Sequence, residues 1–477
     1  MVLSAHETRT KIVCTIGPSS RDPETIRALI REGMDVVRVN FSHGARAEHA
    51  ETIKRVRCVA EEEVATVAVL ADLQGPKLRV GGLTEPIDLK VGDWIALTTK
   101  PADGSHHVIP VPHPELIAGA RSGGRWLFDD GAIEAIVREA RPETVIAEVV
   151  VGGSLSSHKG VHVPGGTGRL SALTEKDRED ATFSVSCGVD FVAQSFVQSA
   201  DDVRVLRQFL DEQPNGGETA IVAKIEKREA IDDLNGILEV ADAVMIARGD
   251  LGLEIPPQEV PLRQKEIIRQ CNRRGLPVIT ATQMLQSMVG KPRPTRAESS
   301  DVANAILDGT DAVMLSAETA VGRYPVEAVT TIRQISGVVE DGMTIRTPSP
   351  VSDKQLIHPI TDAIGDATAR IADALNARLI ATTTRTGYTA RQIARKRPRR
   401  AIVAFTPRER VARQLSLVWG VTPLVVSDYR STDELIDTVS KALVAREEAR
   451  EGDLIVITGG IPAGGGGKTN FIKVHRV

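Results

Sequence analysis

The stretch 220-AIVAKIEKREAIDDLNGILEVADAVMIARGD-250 contains two β-branched runs, 220–225 and 243–246, separated by a helix-like segment. Each run is continuously apolar rather than alternating, which indicates a strand that is buried on both faces. Charged residues lie where each run ends: Lys224 and Glu226 close the first, and Asp250 follows the second. This strand–helix–strand pattern predicts neighbouring parallel strands whose carboxyl ends carry polar side chains.

The same unit recurs along most of the chain. Similar runs lie at 11–16, 36–39, 67–71, 190–193, 277–281 and 312–315. Helix start signals stand between them, such as Asp22-Pro23-Glu24 and the segment Thr174-Glu175-Lys176-Asp177. Eight such units predict a (β/α)8 TIM barrel, with its active site at the carboxyl ends of the strands.

The alternation of strands and helices is interrupted once, and near the C-terminus a different α/β pattern replaces it. Residues 77–159 are punctuated by Gly and Pro and contain strand-like pieces at 94–98, 125–128 and 144–151. A new α/β pattern starts near 349, with a helix at 362–375 and strands at 379–382, 402–405, 423–426 and 454–458. We therefore expect a catalytic barrel at 1–76 and 160–345, an inserted β-barrel-like lid domain at 77–159, and a C-terminal open-sheet α/β domain at 346–477.

The overall composition excludes several classes of function. The 477 residues carry a net charge of −4 and only 3% aromatic residues, which argues against nucleic acid as a partner. No apolar run approaches the roughly 20 residues of a membrane span, and the first residues contain no signal-peptide core. The four cysteines are far apart, so no metal-type pairing is expected. These features predict a cytoplasmic protein that binds neither nucleic acid nor membrane.

The residues around the quoted stretch predict a magnesium site. Lys224 and Glu226 are two apart on one strand, so their side chains point to the same side. Asp250 ends the next strand, and two carboxylates from neighbouring strands suit Mg²⁺, which takes one or two carboxylates plus substrate oxygens and water. The lysine can stabilise negative charge that develops on a substrate. The alternative is a structural ion pair of Lys224 with Glu226 or Asp250.

Two further clusters lie after the second and third strands. In Arg38-Val39-Asn40-Phe41-Ser42-His43-Gly44, strand alternation places Arg38, Asn40 and Ser42 on one side, where they suit a phosphate and a cation. In 71–79, Asp72 and Arg79 can serve the same two ligands. The alternatives are a strand end capped by polar residues and a turn at Gly75-Pro76.

Hydroxyl groups lie at the ends of the last two barrel strands. Thr280-Ala281-Thr282 and Ser316-Ala317-Glu318-Thr319 place them at the barrel mouth, although each string also fits a helix cap.

Together, the strings at 38–44, 223–226, 247–252, 281–288 and 314–319 resemble the pyruvate kinase family in order and spacing, over essentially the whole chain. The resemblance implies a catalytic barrel, a β lid inserted after the third strand and a C-terminal effector domain. It also implies Mg²⁺-dependent transfer of a phosphoryl group from phosphoenolpyruvate to ADP, giving pyruvate and ATP, with Mn²⁺ as a substitute metal. A homotetramer is the assembly that the family implies.

The resemblance also implies roles for single residues. Glu226 and Asp250 match the Mg²⁺ ligands, and Lys224 matches the residue that faces the transferred phosphoryl group. The substrate-carboxylate pocket is matched by Ser195, Thr282 and the backbone of Ala247, Arg248, Gly249 and Asp250. Phosphate and nucleotide contacts are matched by Arg38, Asn40, His43, Arg79 and Lys159, and the closing loop by Asp129-Asp130-Gly131. Thr282 and Ser316, acting through water, are the candidates for protonating the enolate.

One departure from the commoner family pattern predicts activity without K⁺. Many relatives hold a monovalent cation at positions matching Asn40, Ser42, Asp72 and the carbonyl of Leu73, and they carry Glu where this chain has Lys77. The potassium-independent relatives carry Lys there, as this chain does. The Lys77 ammonium is therefore expected to substitute for the cation, with the alternative that it points into solvent.

A second expected site lies in the C-terminal domain. The string Thr384-Arg385-Thr386-Gly387-Tyr388-Thr389 follows a predicted strand and opens a helix, where backbone N–H groups favour a phosphate. It resembles the family's effector-phosphate loop, and a sugar monophosphate or AMP is the expected effector. The alternative is an ordinary helix cap.

Two other signals in the sequence have simpler explanations than a functional site. The segment 462–469 resembles a P-loop but begins with Pro where Gly is required, and the basic run 395–400 is typical of a helix end. Rival functions are another phosphoenolpyruvate- or oxoacid-handling barrel, such as a mutase or aldolase, and a catalytically silent sugar-phosphate sensor.

Overall fold

The computed structural model describes residues 8–101, 107–165, 171–343, 358–429, 431–461 and 469–477. Most of the segment that resembles a P-loop, 462–468, lies outside these ranges, as does the expected domain boundary near 345.

The first part of the chain supplies the first three strands of a barrel. Its elements are β1 (Lys11–Thr15), α1 (Pro23–Glu32), β2 (Val36–Asn40), α2 (Arg46–Glu62) and β3 (Ala68–Asp72). Helix α1 begins where the start signal predicts, because the Asp22 carboxylate accepts a hydrogen bond of 2.9 Å from the backbone N–H of Thr25. The helix ends at Gly33, whose φ of +110° is left-handed.

The inserted segment folds into β structure around its own core. Its elements are β4 (Ile87–Leu89), β5 (Trp94–Thr98), β6 (Val108–Pro110), α3 (Pro114–Gly119), β7 (Arg125–Phe128), β8 (Ile133–Ala140), β9 (Thr144–Val151), β10 (Gly153–Leu155) and β11 (Val161–His162). They form a six-stranded sheet in the order β11-β7-β8-β9-β5-β6 and a two-stranded sheet of β10 and β4. The buried aromatic side chains of Trp126 and Phe128 belong to this core. The bounds of β5, β7 and β9 agree with the sequence prediction, whereas β8 was not predicted.

The chain then returns to complete the barrel. Its elements are α4 (Glu175–Ser186), β12 (Phe191–Gln194), α5 (Ala200–Asp211), β13 (Ala220–Ile225), α6 (Arg228–Asp232), α7 (Leu234–Val240), β14 (Ala243–Ala247), α8 (Arg248–Glu254), α9 (Val260–Arg274), β15 (Val278–Ala281), α10 (Arg296–Asp308), β16 (Ala312–Leu315), α11 (Ala317–Ala320) and α12 (Pro325–Met343). The parallel strands close in the order β1-β16-β15-β14-β13-β12-β3-β2. The predicted TIM barrel is confirmed.

The rest of the described chain forms an open α/β sheet. Its elements are α13 (Pro359–Ala374), β17 (Leu379–Thr383), α14 (Tyr388–Ala394), β18 (Ala401–Thr406), α15 (Glu409–Leu415), β19 (Val421–Val425), α16 (Thr432–Ala445), β20 (Leu454–Gly459) and β21 (Phe471–Arg476). The strand order is β19-β18-β17-β20-β21, and β21 is antiparallel to β20. Strand β21 was not predicted, because this half-exposed edge strand has no continuous apolar run.

The C-terminal domain docks on the end of the barrel opposite the predicted active site. Leu417, after α15, is buried in the apolar cluster that fills the barrel interior. The Ser416 hydroxyl donates to the carbonyl of Thr66, and the backbone N–H of Trp419 donates to the Asp311 carboxylate. Thr66 lies two residues before β3, and Asp311 immediately precedes β16. In the described part of the chain, no helix is long and apolar enough to cross a membrane.

Candidate active site

Lys224 stands at the centre of a buried polar cluster at the carboxyl ends of the barrel strands. Its Nζ atom lies 2.9 Å from Oε1 of Glu226 and 3.2 Å from Oδ1 of Asp72, and it donates to the Ser195 hydroxyl at 2.7 Å. The register explains this convergence, because β13 lies beside β12, and β12 lies beside β3. The ammonium group is thus held by groups from three adjacent strand ends.

The charges in this cluster balance one another. Burial alone would lower the pKa of Lys224, but the carboxylates of Asp72 and Glu226 more than offset it and raise that pKa well above its ordinary value. Burial would raise the pKa of Asp72, but Lys224 and Arg38 hold it below its usual range. Both groups are therefore charged at neutral pH.

Glu226 and Asp250 have the chemistry of a divalent-cation site. Glu226 is buried, and burial together with the nearby Asp250 charge raises the pKa of its carboxyl, although Lys224 opposes this. A divalent cation placed between two such carboxylates would remove that repulsion. Among the described residues, no group of three or more His, Cys, Asp or Glu side chains is arranged to hold a metal. Mg²⁺ commonly takes one or two protein carboxylates and completes its coordination with substrate oxygens and water.

Asp72 also orients Arg38. The guanidinium Nε atom lies 2.7 Å from Oδ2 of Asp72, and its Nη1 atom donates to the Thr15 hydroxyl at 3.0 Å. Asp72 was predicted as a cation contact, and the structure shows it between two protein cations. Thr15 was not among the predicted residues, since nothing in the sequence around it indicates that its side chain contacts the active-site cluster.

The segment after β12 links the cluster to the inserted domain. The Ser195 hydroxyl donates to the carbonyl of Leu73 at 2.7 Å, so that carbonyl already has a partner. Phe196 has a φ of +57°, and its backbone N–H donates to Oε2 of Glu226 at 2.8 Å. Phe196 was not predicted as a site residue, because a positive φ at a bulky residue has no local sequence signal.

Thr282 meets the loop that carries Asp250. Its hydroxyl accepts a hydrogen bond of 2.8 Å from the backbone N–H of Gly249 and donates to the carbonyl of Ala281. The Arg248 guanidinium donates to the carbonyls of Ala281 and Thr282 at 3.1 and 2.7 Å, and its Nη1 atom lies 2.8 Å from the Asp301 carboxylate. The Arg248 side chain therefore joins the loop that carries Asp250 to the strand end that carries Thr282.

Ser316 lies at the end of β16, where a buried carboxylate shapes the turn. The backbone N–H groups of Ser316 and Leu285 donate to Glu318 at 2.7 and 3.1 Å. Glu318 thereby ties the turn after β16 to the turn after β15, the two turns that bear the predicted hydroxyls. Glu318 was not predicted to have a role; its position among hydroxyl residues was the available signal.

The remaining barrel residues of the prediction lie after β2. The Asn40 side-chain oxygen accepts a hydrogen bond of 3.1 Å from the backbone N–H of Ser42, and His43 is exposed. Asn40 is paired in register with Asp72. This strand end thus borders the Asp72 cluster.

The predicted lid residues form a separate group. Arg79 donates to the carbonyl of His158 at 2.8 Å, and the Lys159 ammonium lies 2.8 Å from the Asp129 carboxylate. Asp129, Asp130 and Gly131 all have positive φ, as expected for a tight turn. A Cβ atom on Gly131 would lie 2.8 Å from a methyl carbon of Leu253, so this turn approaches the end of α8.

Lys77 lies in a cleft between the inserted domain and the barrel. The cleft has an empty volume of about 400 Å³, and Lys77 lines it together with Phe196, His162 and Lys227. Among the hydrogen bonds and ion pairs of the described residues, none joins Lys77 to Asn40, Ser42 or Asp72.

The predicted effector loop joins β17 to α14. Thr384 and Thr389 are buried, and the Thr389 hydroxyl accepts a hydrogen bond of 2.9 Å from that of Thr469. Arg385 pairs with Asp428, while Thr386 is exposed and Gly387 has a φ of +78°. Within the described residues, Nε of Arg385 and the Tyr388 hydroxyl are buried without a hydrogen-bond partner.

Comparison with known proteins places the chain in one family. Residues 7–329 match the model of the pyruvate kinase barrel domain, and residues 362–475 match that of the pyruvate kinase alpha/beta domain. The pyruvate kinases of Sporosarcina psychrophila and Geobacillus stearothermophilus are 44% and 45% identical to it over 472 residues, which is 98% of this chain and 80% of each relative.

A solved structure gives the same result for the fold. A pyruvate kinase from Cryptosporidium parvum superimposes with a TM-score of 0.90 at 35% identity, covering 98% of this chain and 96% of that one. On its sequence, its barrel and its C-terminal sheet, this chain belongs to the pyruvate kinase family.

Proposed function

We propose that the chain transfers the phosphoryl group of phosphoenolpyruvate to ADP and releases pyruvate and ATP. The observation that carries the proposal is the buried Lys224 ammonium, which Asp72, Glu226 and Ser195 hold at the mouth of the barrel. Phosphoryl transfer requires positioning and charge neutralisation more than covalent chemistry from the protein. Family membership supports the same reaction.

The side chains of the cluster have separate tasks in this proposal. Glu226 and Asp250 would hold Mg²⁺, which when bound neutralises charge on the phosphoryl oxygens. Lys224 and Arg38 present positive charge to the same group, and Asp72 keeps both cations oriented without reorganisation during the reaction. Arg79, His43 and Lys159 would contact the nucleotide phosphates, with the turn 129–131 excluding water from the closed site.

The last step protonates the enolate of pyruvate at carbon. Thr282 and Ser316 are the proposed source of this proton, through an intervening water. The Thr282 hydroxyl is fixed by Gly249 and Ala281, and the turn of Ser316 is fixed by Glu318. The substrate carboxylate would lie against Ser195, Thr282 and the backbone N–H groups of 247–250, at the start of α8.

The proposal is tested by coupling pyruvate formation from phosphoenolpyruvate to lactate dehydrogenase, with and without ADP. We expect pyruvate only when both ADP and Mg²⁺ are present, and none with excess EDTA. Glu226→Gln and Asp250→Asn should each raise the Mg²⁺ concentration needed for half-maximal rate. Turnover of phosphoenolpyruvate without ADP would favour the mutase or aldolase alternative, and the absence of turnover under all conditions would favour the sensor.

We also propose that the reaction does not need K⁺. Both oxygens of Asp72 already face protein cations, so this carboxylate offers little charge to a further monovalent ion. Lys77 lies in the cleft beside Phe196, where its ammonium supplies positive charge near the site.

The test compares rates in tetramethylammonium buffer with and without KCl at constant ionic strength. We expect less than about a twofold change, whereas a tenfold activation, roughly 1.4 kcal/mol in the barrier, would contradict the proposal. Lys77→Glu should create K⁺ dependence, and the exposed lid substitution Lys90→Glu should not. A Lys77→Glu protein that is inactive with or without K⁺ would show that Lys77 has another role.

The loop 384–389 is proposed to bind the phosphate of an activating sugar monophosphate or AMP. The buried, unpartnered Arg385 Nε and Tyr388 hydroxyl support it, since such groups are costly to leave without a partner. Thr384→Ala combined with Thr389→Ala should abolish activation by glucose 6-phosphate or AMP and leave the basal rate unchanged. Equal activation of the unsubstituted and doubly substituted proteins by these compounds would contradict the site.

We also propose a division of the chain into domains and its assembly into a homotetramer. The separate apolar core of the inserted domain runs from Val80 to Val163, which supports a lid from near 77 to near 163, including β11, between two barrel segments. The homotetramer that the family implies is testable by analytical ultracentrifugation, in which a monomer at assay concentration would contradict it.

A further inference from the structure

A second charged cluster lies beside the active site and contains none of the residues assigned above. Lys227 directly follows Glu226, and its ammonium pairs with the carboxylate of Glu254. Glu254 is the last residue of α8, the helix whose first turn contains Asp250. The two segments that bear the proposed Mg²⁺ ligands are therefore joined a second time, one residue beyond Glu226 and one helical turn beyond Asp250.

The inserted domain supplies the third member of this cluster. His162, in β11, has its Nδ1 atom 4.0 Å from Oε1 of Glu254. The turn at Gly131 approaches Leu253, the neighbour of Glu254, so two parts of the lid meet the end of α8. The lid and the end of α8 are therefore in direct contact.

The cluster is buried at the junction between lid and barrel. Lys227, Glu254 and His162 are 7%, 7% and 6% exposed, and Lys227 and His162 also line the cleft that separates lid from barrel. If the lid moved away, water would enter through this cleft and screen the pair. Burial would raise the pKa of Glu254, but His162 and Lys227 lower it below its ordinary value.

Phe196 connects this cluster to the reacting centre. Its backbone N–H donates to Glu226, and the Lys227 ammonium lies 5.9 Å from the centre of its ring. A displacement of Lys227 would therefore shift Glu226 through Phe196, and it would shift Asp250 through α8.

We propose that Glu254, held by Lys227 from the barrel and His162 from the lid, is a positioning residue that sets α8 and Asp250 in place when the lid is closed. The inference rests on the proposed function, because it assigns Asp250 to the Mg²⁺ site. It predicts that breaking the contact from the lid side alone loosens α8.

The first test measures amide hydrogen exchange in the full-length protein without substrate. Glu254→Gln, which keeps the shape of the side chain, and His162→Gln, which changes only the lid, should each speed exchange of residues 248–254 by at least about threefold. Lys11→Met is the matched control, because Lys11 pairs with the Asp35 carboxylate at the opposite end of the barrel. It should leave exchange in 248–254 unchanged. Unchanged exchange in His162→Gln would overturn the proposal, whatever the activity.

The second test measures the Mg²⁺ concentration for half-maximal rate in the same proteins. We expect a rise of at least about fivefold in Glu254→Gln and a smaller rise in His162→Gln, and the double variant should resemble Glu254→Gln alone because both act through one contact. Additive effects of the two substitutions on this Mg²⁺ concentration would show that the cluster is only a structural ion pair. A fall in thermal stability without any change in Mg²⁺ use would show the same. If the unsubstituted protein made no pyruvate, the proposed function would be wrong. The exchange result would still test the contact between His162 and Glu254.

Discussion

At the scale of single residues, the active-site cluster depends on charge compensation. Asp72, Lys224 and Glu226 are each nearly inaccessible to solvent, and an isolated buried charge is strongly unfavourable. Their mutual ion pairs, together with Arg38, make the arrangement tolerable. The same pairs restrict Lys224 to one place, which is what a catalytic cation requires.

Lys224→Met should lower the rate of pyruvate formation by at least 10³-fold, roughly 4 kcal/mol in the barrier, because it removes a charge needed mainly in the transition state. The free energy of unfolding should also fall, by about 3 kcal/mol, because Asp72 and Glu226 lose their shared partner. The measurements are the coupled assay and urea denaturation. Lys11→Met, at the opposite end of the barrel, is the control and should retain its activity; near-normal turnover by Lys224→Met would contradict the mechanism.

At the scale of elements, helix α4 does more than cover the barrel. Thr174 caps it, and the Asp177 carboxylate accepts hydrogen bonds from the backbone and side chain of Thr174. The other Asp177 oxygen accepts from the backbone N–H of Gly75 at 3.0 Å, where the chain leaves for the lid. Gly75 has a φ of +69°, and a Cβ atom there would lie 2.7 Å from the ring of Phe196. The start of one helix therefore anchors the hinge of the inserted domain.

Asp177→Ala should cost about 3 kcal/mol of stability, since it removes the carboxylate that completes the capping box with Thr174 and leaves a buried N–H at Gly75 without its partner. Asp22→Ala, at the start of α1, removes an ordinary exposed cap and should cost only about 1 kcal/mol. Urea denaturation compares the two proteins. Equal losses would show that the contact between Asp177 and Gly75 contributes little.

At the scale of the whole molecule, the C-terminal domain completes the barrel core. Leu417 fills the end of the barrel interior opposite the active site, and the Arg413 guanidinium lies 2.7 Å from the buried Asp190 carboxylate just before β12. Arg57, from α2, pairs with the same carboxylate. Barrel and C-terminal domain thus share buried apolar and charged contacts, and their stabilities should be coupled.

Leu417→Ala should destabilise the barrel by about 3 kcal/mol, because it leaves a cavity under the strands. Amide exchange of β1 and β2 should become faster in this variant. Leu443→Ala makes a similar cavity in the separate core of the C-terminal domain and should leave β1 and β2 unchanged. The same exchange pattern in both variants would indicate that the two domains unfold as one unit rather than through this contact.

The barrel, the break in its strand–helix pattern and the C-terminal sheet could be predicted from the sequence, because buried parallel strands are continuous apolar runs whatever their neighbours in the sheet. The sequence also indicated Lys224, Glu226 and Asp250, since strand alternation and strand ends place such side chains at one mouth. Strands β8 and β21 were missed, because their exposed faces interrupt the apolar pattern.

The contacts between site residues could be seen only in the folded chain. Asp72 turned out to pair with Lys224 and Arg38, Phe196 to donate its N–H to Glu226, and Glu318 to join two turns. The contact of Lys227 and Glu254 with His162 brings together residues from a strand end, a helix end and the lid. These contacts depend on barrel closure and on the docking of an inserted domain, which place residues far apart in sequence within hydrogen-bond distance. No local pattern of residue types records such distances.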